Sequence, residues 1–433
     1  MPPPPQESEA FFSEGDLNGY HQKERYINMK FIDGGVCAAQ GFKASGIHVG
    51  VKTNNLTKKD LALIVSDVEC DAAAVYTKNV VKAAPLLVTK AHLADGRARA
   101  VLANSGNANA CAPKGEEYAE ESCAAAAKAL GLKASDFIVA STGVIGQMLP
   151  VKVIVDGTPA LAAALKSDGS PDAAAAIMTT DTVMKEYAVE VTIGGKSVKI
   201  GGIAKGSGMI HPNMGTMLCF VTTDCAISSE MIKKALLEVV AVSFNRISVD
   251  GDTSTNDMCS LMANGLAGNA LITGDGDTYK AFVAALKEIC VKLAIVMASD
   301  GEGATHLITC TVSGAPDVLT AETLSKSVIS STLVKAMIFG ADANCGRVLC
   351  AMGYSGIDFN PNAVSVALKS IAGTLDVCKD GLGLPFDETL AKKILTEHDI
   401  TIAVNIASGA AECTCWGCDI TYDYIKINGD YRT

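Results

Sequence analysis

An α/β or α+β body of enzyme size is what this sequence predicts, and three observations predict it. The chain has 433 residues, 49% hydrophobic and only 19% charged, which suffices for one large domain or two to three ordinary ones and excludes disorder. Its 40 glycines and many alanines suit close packing of helices on strands. Segments of helical period alternate with segments of strand period, with no internal repeat and no long low-complexity linker between them, so associated layers are expected.

The elements follow in order. Residues 1–30 open on Pro2–Pro5 and run acidic through Glu7, Glu9, Glu14 and Asp16, a tail that cannot bury a core and lacks the Arg-rich character of a presequence. In VLANSGNANAC, Asn104, Asn107 and Asn109 are of the type that stitches a loop together. Helical spacing covers Glu117 to Leu130, and a strand over Phe137 to Ala140 leads into ASTGVIGQMLP. AVEVTIGGKSVKIGGIAK alternates in two arms around Gly194-Gly195, a β-hairpin ending at Lys205. Further helices are expected over Met231 to Phe244, Tyr279 to Ala298 and Glu322 to Phe339. Further strands are expected over His306 to Val312, Ile400 to Ile406 and Ile420 to Ile427, the last turning at Asn428-Gly429. The apolar run Phe282 to Ala298 carries Lys287, Glu288 and Lys292, which argues for a packed helix and against a membrane span.

Composition also narrows the partners. A net charge of −11 and 5% aromatic residues disfavour a nucleic-acid surface, which needs clustered Lys and Arg. The 15 cysteines run from Cys37 to Cys418 with no signal peptide ahead of them, so they read as reduced, mostly buried small hydrophobes. Cys413, Cys415 and Cys418 form the one cluster, and without a second Cys or His pair nearby it does not make a four-ligand zinc site.

One segment invites chemistry. KGSGMIHPNMGTMLCFVTTD, residues 205 to 224, brings a flexible, tightly turned approach up to Thr216 at the start of an apolar strand. By itself this is more often an ordinary turn entering a strand, and Gly206-Ser207-Gly208 lacks the rest of a phosphate-binding motif. A threonine hydroxyl becomes a useful nucleophile when a base adjoins it and donors await the oxyanion. Cleavage of the Gly215-Thr216 bond would supply that base as the new α-amine of Thr216, and a glycine before it tolerates the strained geometry of attack on the preceding carbonyl. Thr142 and Gly143, a hydroxyl and a backbone N–H at a strand end, are of the type that serves as oxyanion donors.

GFKASGIHVGVK, ANSGNANAC, STGVIG, IMTTDT, KGSGMIHPNMGTML, FNRISVDGDTSTND, SDGEGATH and WGCDITYDYIKINGDYRT stand in order from about Gly34 to the C-terminus. In these motifs the chain resembles the ornithine acetyltransferase family, the glutamate N-acetyltransferases of arginine biosynthesis, relatives of autoprocessing aminopeptidases. The resemblance implies an α/β layered sandwich of α and β chains cut from one precursor, with an α-chain region 31–215 and a β-chain region 216–433 after the 1–30 tail. It implies a Thr216 nucleophile, autocleavage between Gly215 and Thr216, and Thr142 and Gly143 as oxyanion donors. Substrate contacts fall on Thr179 (or the neighbouring Thr180), Lys205, Thr216, Glu302, Asn428 and Thr433; taken alone, Glu302 reads as an exposed loop acid.

The implied reaction moves acetyl from N2-acetyl-L-ornithine to L-glutamate through an acetyl-Thr intermediate, without metal or organic cofactor. Alternatives are a bifunctional enzyme that also accepts acetyl-CoA and an autoprocessed aminopeptidase or amidase. The implied partners are these small molecules, the two fragments of the chain and further αβ units in a homo-oligomer, with no nucleic acid or membrane. The cytoplasm is the expected compartment, or an organelle if a targeting peptide is missing from this sequence. Two departures stand out: Met214-Gly215-Thr216 occupies the place of the family's Met-Ala-Thr, and the acidic, proline-rich tail before residue 30 has no clear family counterpart.

Overall fold

A computed structural model describes residues 29–53, 55, 57–211 and 217–430. Among these, nine strands make the first sheet: β1 (Met29–Ile32), β2 (Phe42–Ile47), β3 (Leu61–Tyr76), β4 (Arg97–Asn107), β5 (Phe137–Val144), β6 (Lys185–Ile193), β7 (Lys196–Lys205), β8 (Leu218–Thr223) and, beyond the short β9 (Ile247–Ser248) of the other sheet, β10 (Met258–Ala263). Their order is β1-β6-β7-β8-β10-β3-β4-β5, with β2 beside β3.

The long strand β3 belongs to two layers at once. Its first half pairs with β2 and β4 and its second half with β10, and its register against β4 shifts between Val65 and Cys70. There the sheet folds back on itself. Val101, Ala103, Ile138 and Ala140 from β4 and β5 share one buried cluster with Ile203, Leu218, Phe220, Met258 and Met262 from β7, β8 and β10. Helices cover both outer faces, Ser229–Val242 and Asp277–Ser299 on one and Ala84–His92, Gly115–Leu130 and Val151–Ala163 on the other. The expected layered α/β sandwich is the architecture observed.

The second sheet adds β11 (Leu307–Ala315), β12 (Ser365–Ser370), β13 (Gly373–Lys379), β14 (Leu382–Gly383), β15 (Asp399–Asn405) and β16 (Ala411–Cys418) to β9, in the order β14-β13-β12-β15-β11-β16-β9. One face buries the apolar sides of Val318–Ser330, Thr332–Phe339, Cys345–Gly353 and Glu388–Leu395. The two bodies join where Leu307, Trp416 and Cys418 enter the core beneath Asp277–Ser299.

Most expected elements are present. The hairpin turns at Gly194 and Gly195 with φ of +57° and +77°, the left-handed pair that matches the twist of its arms. Asn104 donates to the Asn107 carbonyl at 2.9 Å, and Asn109 to the Gly115 carbonyl at 2.8 Å, so these amides do stitch the loop. The cysteines of ECTCWGC lie buried on β16; its two-residue period sends Cys413 and Cys415 into the second core and Cys418 into the first, so the three thiols do not converge.

Three expectations need correction or fall outside the described residues. The helix expected over Glu322 to Phe339 is two helices, because Ser331 is extended and its hydroxyl accepts from the Val334 amide, capping a new start. The strand expected over Ile420 to Ile427, with a turn at Asn428-Gly429, is instead the helix Tyr422–Gly429. The alternation there misled because neither face is buried: Tyr422 and Ile425 are exposed, and no residue of the helix is buried. Thr421 starts it, accepting from the Tyr424 amide while its hydroxyl donates to the Gly303 carbonyl at 2.6 Å. The strand start expected at Thr216 lies outside the described residues, and β8 begins at Leu218.

With no buried face, this terminal helix depends on its cap. Thr421→Ala should cost it about 1 kcal/mol, read as faster hydrogen exchange of the 422–429 amides with exchange in the Asp277–Ser299 helix unchanged. Equal exchange in both proteins would show that the cap does not hold the helix.

Candidate active site

A cavity of about 260 Å³ opens where the folded first sheet meets the 300–303 loop and the terminal helix. Of the residues singled out from the sequence, Thr142, Gly143, Thr179, Thr180, Lys205, Glu302 and Asn428 line it. So do Gly208, Met209 and Ile210 on one side of residues 212–216 and Met217 and Leu218 on the other. Gly215, Thr216 and Thr433 lie outside the described residues.

Thr142 and Gly143 stand at the end of β5, beside Gly106 and Asn107 of β4. Gly143 has φ of +132°, and a Cβ there would lie 2.3 Å from the Gly106 carbonyl carbon, so only glycine lets the two strand ends approach this closely. Lys205, the last residue of β7, donates from Nζ to Thr142 Oγ1 at 3.3 Å. An ammonium only donates, so the Thr142 hydroxyl accepts from it and keeps its own proton for a group in the cavity. Burial lowers the Lys205 pKa, against the opposing pull of Asp181, Glu302 and Asp257.

A buried ion cluster holds the rest in place. Lys185, fully enclosed, donates to Asp181 Oδ1 at 2.8 Å, to Asp300 Oδ2 at 2.5 Å and to the Val183 carbonyl at 3.1 Å, which uses all three of its protons. Asp181 accepts in addition from the Thr179 amide at 3.0 Å and the Gly206 amide at 2.7 Å. Asp300 accepts from the Thr182 hydroxyl and from the amides of Thr182 and Val183. Burial acts to raise the Asp181 carboxyl, but Lys185 and Lys205 outweigh it and hold the group well below the usual carboxylate range. One cluster therefore sets the backbone on which Thr179, Lys205 and Glu302 ride.

Two residues beyond Asp300, Glu302 is buried, which the reading of an exposed loop acid missed. Its amide donates to the Ser207 carbonyl at 3.0 Å, and its Oε2 accepts from Asn428 Nδ2 at 2.7 Å. Gly208 faces it so closely that a Cβ would fall 2.3 Å from the Glu302 carboxyl carbon. The helical turn overturned above as a strand is thus what lays Asn428 over Glu302.

Sequence reasoning passed over three polar lining residues, Ser254, Asn256 and Asp257. They fall in the quoted stretch FNRISVDGDTSTND, whose many polar residues before an apolar strand were the available signal. Asn256 Nδ2 donates to the carbonyls of Ala108 and Ser141 at 2.6 and 2.8 Å, fastening the two layers together at the cavity.

Residues 43–433 match the ArgJ family. The chain belongs to the ArgJ family. It is 50% identical over 406 residues to the arginine biosynthesis bifunctional protein ArgJ of Symbiobacterium thermophilum, covering 94% of this chain and all of that one. It is 44% identical over 414 residues to the chloroplastic ArgJ of Oryza sativa subsp. indica, covering 93% of this chain and 88% of the relative. Among solved structures it is similar to an ArgJ of Bacillus halodurans, at 43% identity and a TM-score of 0.46 over 49% of this chain and 98% of that one.

In this ArgJ chain the Lys185 cluster ought to dominate stability locally. Lys185→Met leaves two buried carboxylates without their cation and should cost about 3–5 kcal/mol at pH 7. The pH dependence has a definite sign: Asp181, held low by Lys185, contributes stability that is full above its unfolded pKa of about 3.9 and lost as pH falls through the folded value. In the variant Asp181 loses the cation that holds it low and takes up its proton at higher pH, so the gap between the two proteins should shrink from pH 7 towards pH 4. Denaturation midpoints at both pH values measure it, and a pH-independent gap would mean the cluster is not held together by charge.

Proposed function

We propose that this ArgJ enzyme transfers acetyl from N2-acetyl-L-ornithine to L-glutamate through an acetylated Thr216. The observation that carries the reading is the convergence of Thr142, Gly143, Thr179, Lys205, Glu302 and Asn428, scattered along residues 142 to 428, on one small cavity flanked by Met217, the residue covalently next to Thr216. The names of the relatives, proteins of arginine biosynthesis, point to the same pathway.

In the reaction, the α-amine of Thr216 takes the proton of its own hydroxyl as Oγ attacks the acetyl carbonyl. The developing oxyanion meets the Thr142 hydroxyl, already turned outward by Lys205, and the Gly143 N–H. Loss of ornithine leaves an acetyl-Thr ester that glutamate then opens. Glu302, with Asn428 upon it, offers a carboxylate to an ammonium of the substrate, while Lys205 and Thr179 serve polar atoms at the acyl end, and Thr433 completes the set. No metal or organic cofactor enters these steps. The word bifunctional in the relatives' names favours a second use of the site, acylation of glutamate with acetyl-CoA as donor.

Autocleavage would divide the chain into 1–215 and 216–433. The hydrogen bonding of the first sheet supports fragments that stay together, since β8 and β10, which follow the cut, lie between β7 and β3, which precede it. A homo-oligomer of such αβ units in the cytoplasm is the assembly and compartment proposed. Among the described residues no helix is long and apolar enough to cross a membrane.

Purified protein incubated with acetyl-ornithine and glutamate, and separately with acetyl-CoA and glutamate, tests the reading directly. Transfer is expected in the first mixture, whereas hydrolysis without transfer would identify an amidase. Intact-mass analysis should find two fragments for the wild type and one inactive chain for Thr216→Ala; an uncut, fully active wild type would refute the nucleophile.

Removing one oxyanion donor by Thr142→Ala should lower kcat about 10²- to 10³-fold with a much smaller change in KM. If KM rises and kcat holds, Thr142 is a binding group only.

A further inference from the structure

Among the described residues, the mechanism above uses every charged side chain lining the cavity except Asp257. Its side chain is enclosed, with the residue 2% exposed, and Oδ2 is buried with no hydrogen-bond partner among the described residues. Leaving a carboxyl unsatisfied inside a protein is unfavourable, so folds seldom do so without a ligand to complete it. The backbone around it is rigid. Asp257 accepts at its carbonyl from the Thr77 amide at 3.0 Å, and the next residue, Met258, donates to the Met217 carbonyl at 2.9 Å, which sets Asp257 beside the strand that begins just after Thr216. Burial raises its pKa well above the usual carboxylate range, although Ser254, Lys205, Thr77 and the Met217 backbone all act in the opposite direction. A buried carboxyl with one oxygen unpaired is suited to hold a proton, and this one shares a cavity with the acyl-transfer residues.

Acyl transfer from an amide has a step for which such a donor is wanted. The tetrahedral intermediate cannot expel an amine as an anion, so its nitrogen must gain a proton as the C–N bond breaks. Resting on the acetyl-transfer reading, we propose that Asp257 is a further catalytic residue, which protonates the departing amine and recovers a proton from the amine that attacks next. In the first half-reaction the C–N bonding pair stays on the ornithine nitrogen, which takes the carboxyl proton, and Asp257 becomes a carboxylate. In the second half-reaction that carboxylate removes one proton from the α-ammonium of glutamate. This frees the lone pair that forms the new C–N bond and returns the proton to Asp257. As the ester C–O bond breaks, Oγ takes back the proton held since the first half-reaction by the Thr216 α-ammonium, and the second proton of the glutamate nitrogen passes through solvent to the released ornithine amine. Lys205 nearby steadies the carboxylate between the two steps.

The test compares donors whose leaving groups differ in their need for a proton. N2-acetyl-L-ornithine and 4-nitroacetanilide both expel an amine, whereas p-nitrophenyl acetate expels a phenolate that needs none. The isosteric Asp257→Asn keeps a hydrogen-bonding side chain but cannot deliver the proton. Single-turnover acetylation of the matured variant by the two amides should fall about 10²- to 10⁴-fold, and a loss of rate at alkaline pH, expected in the wild type as Asp257 gives up its proton, should be absent from the variant. The burst with p-nitrophenyl acetate should stay close to wild type, which also shows that the variant is folded. Equal slowing of ester and amides, no slowing of either, or failure of the variant to mature would each overturn the assignment. A wild type that uses the anilide and the ester but not acetyl-ornithine would overturn the substrate reading alone, and the anilide would still decide the role of Asp257.

Discussion

The ammonium of Lys185, sealed between Asp181 and Asp300, is the constraint on which the site depends. A buried ion pair adds little net stability when weighed against an apolar replacement, because desolvation offsets the attraction. Its value here is directional. Asp181 has lone pairs left for the amides of Thr179 and Gly206, and Asp300 for those of Thr182 and Val183, so three separate loops take their positions from one proton-rich centre. An apolar core at the same place would pack these loops without specifying which amide faces which oxygen.

The layers supply the complementary constraint. Because β3 passes from one layer to the other, the ends of β5 and β7 and the starts of β8 and β10 come to one cavity although they are distant in the chain. Asn256 bridges this seam with two hydrogen bonds to carbonyls of the opposite layer. Gly143 and Gly208 then let backbone and carboxylate come within distances that any side chain would forbid. The cavity wall includes the strand ends at Thr142-Gly143, Lys205 and Leu218.

This arrangement also rationalises how chemistry can be divided among weak groups. Thr142 is an ordinary hydroxyl until a lysine that can only donate fixes the direction of its proton. Glu302 is an ordinary acid until Asn428 caps one oxygen and leaves the other for a ligand. Burial lowers the Lys205 pKa and raises that of Asp257, so enclosure acts on the two groups in opposite directions. Each effect requires a neighbour remote in sequence.

Local pattern determined much of this protein. The hairpin at Gly194-Gly195, the helices Gly115–Leu130 and Asp277–Ser299 and the strand ending at Thr142-Gly143 were legible because a buried face repeats every 3.6 or 2 residues and a left-handed turn calls for glycine. The family resemblance carried by KGSGMIHPNMGTML and SDGEGATH, and not the local pattern, pointed to Lys205 and Glu302, both of which line the cavity. Where no face is buried the pattern carries no information, and the exposed segment Tyr422–Gly429 is a helix although its residues alternate. Ser331, similarly, divides two helices by capping the second, a choice its neighbours' periodicity does not encode. Only the tertiary structure decided that Glu302 is buried beneath Asn428, that Lys185 gathers Asp181 and Asp300, and that Asp257 lines the cavity with Oδ2 unpaired. The reason is physical: burial and electrostatic environment are properties of what surrounds a side chain, and in this fold the surroundings come from segments more than a hundred residues away.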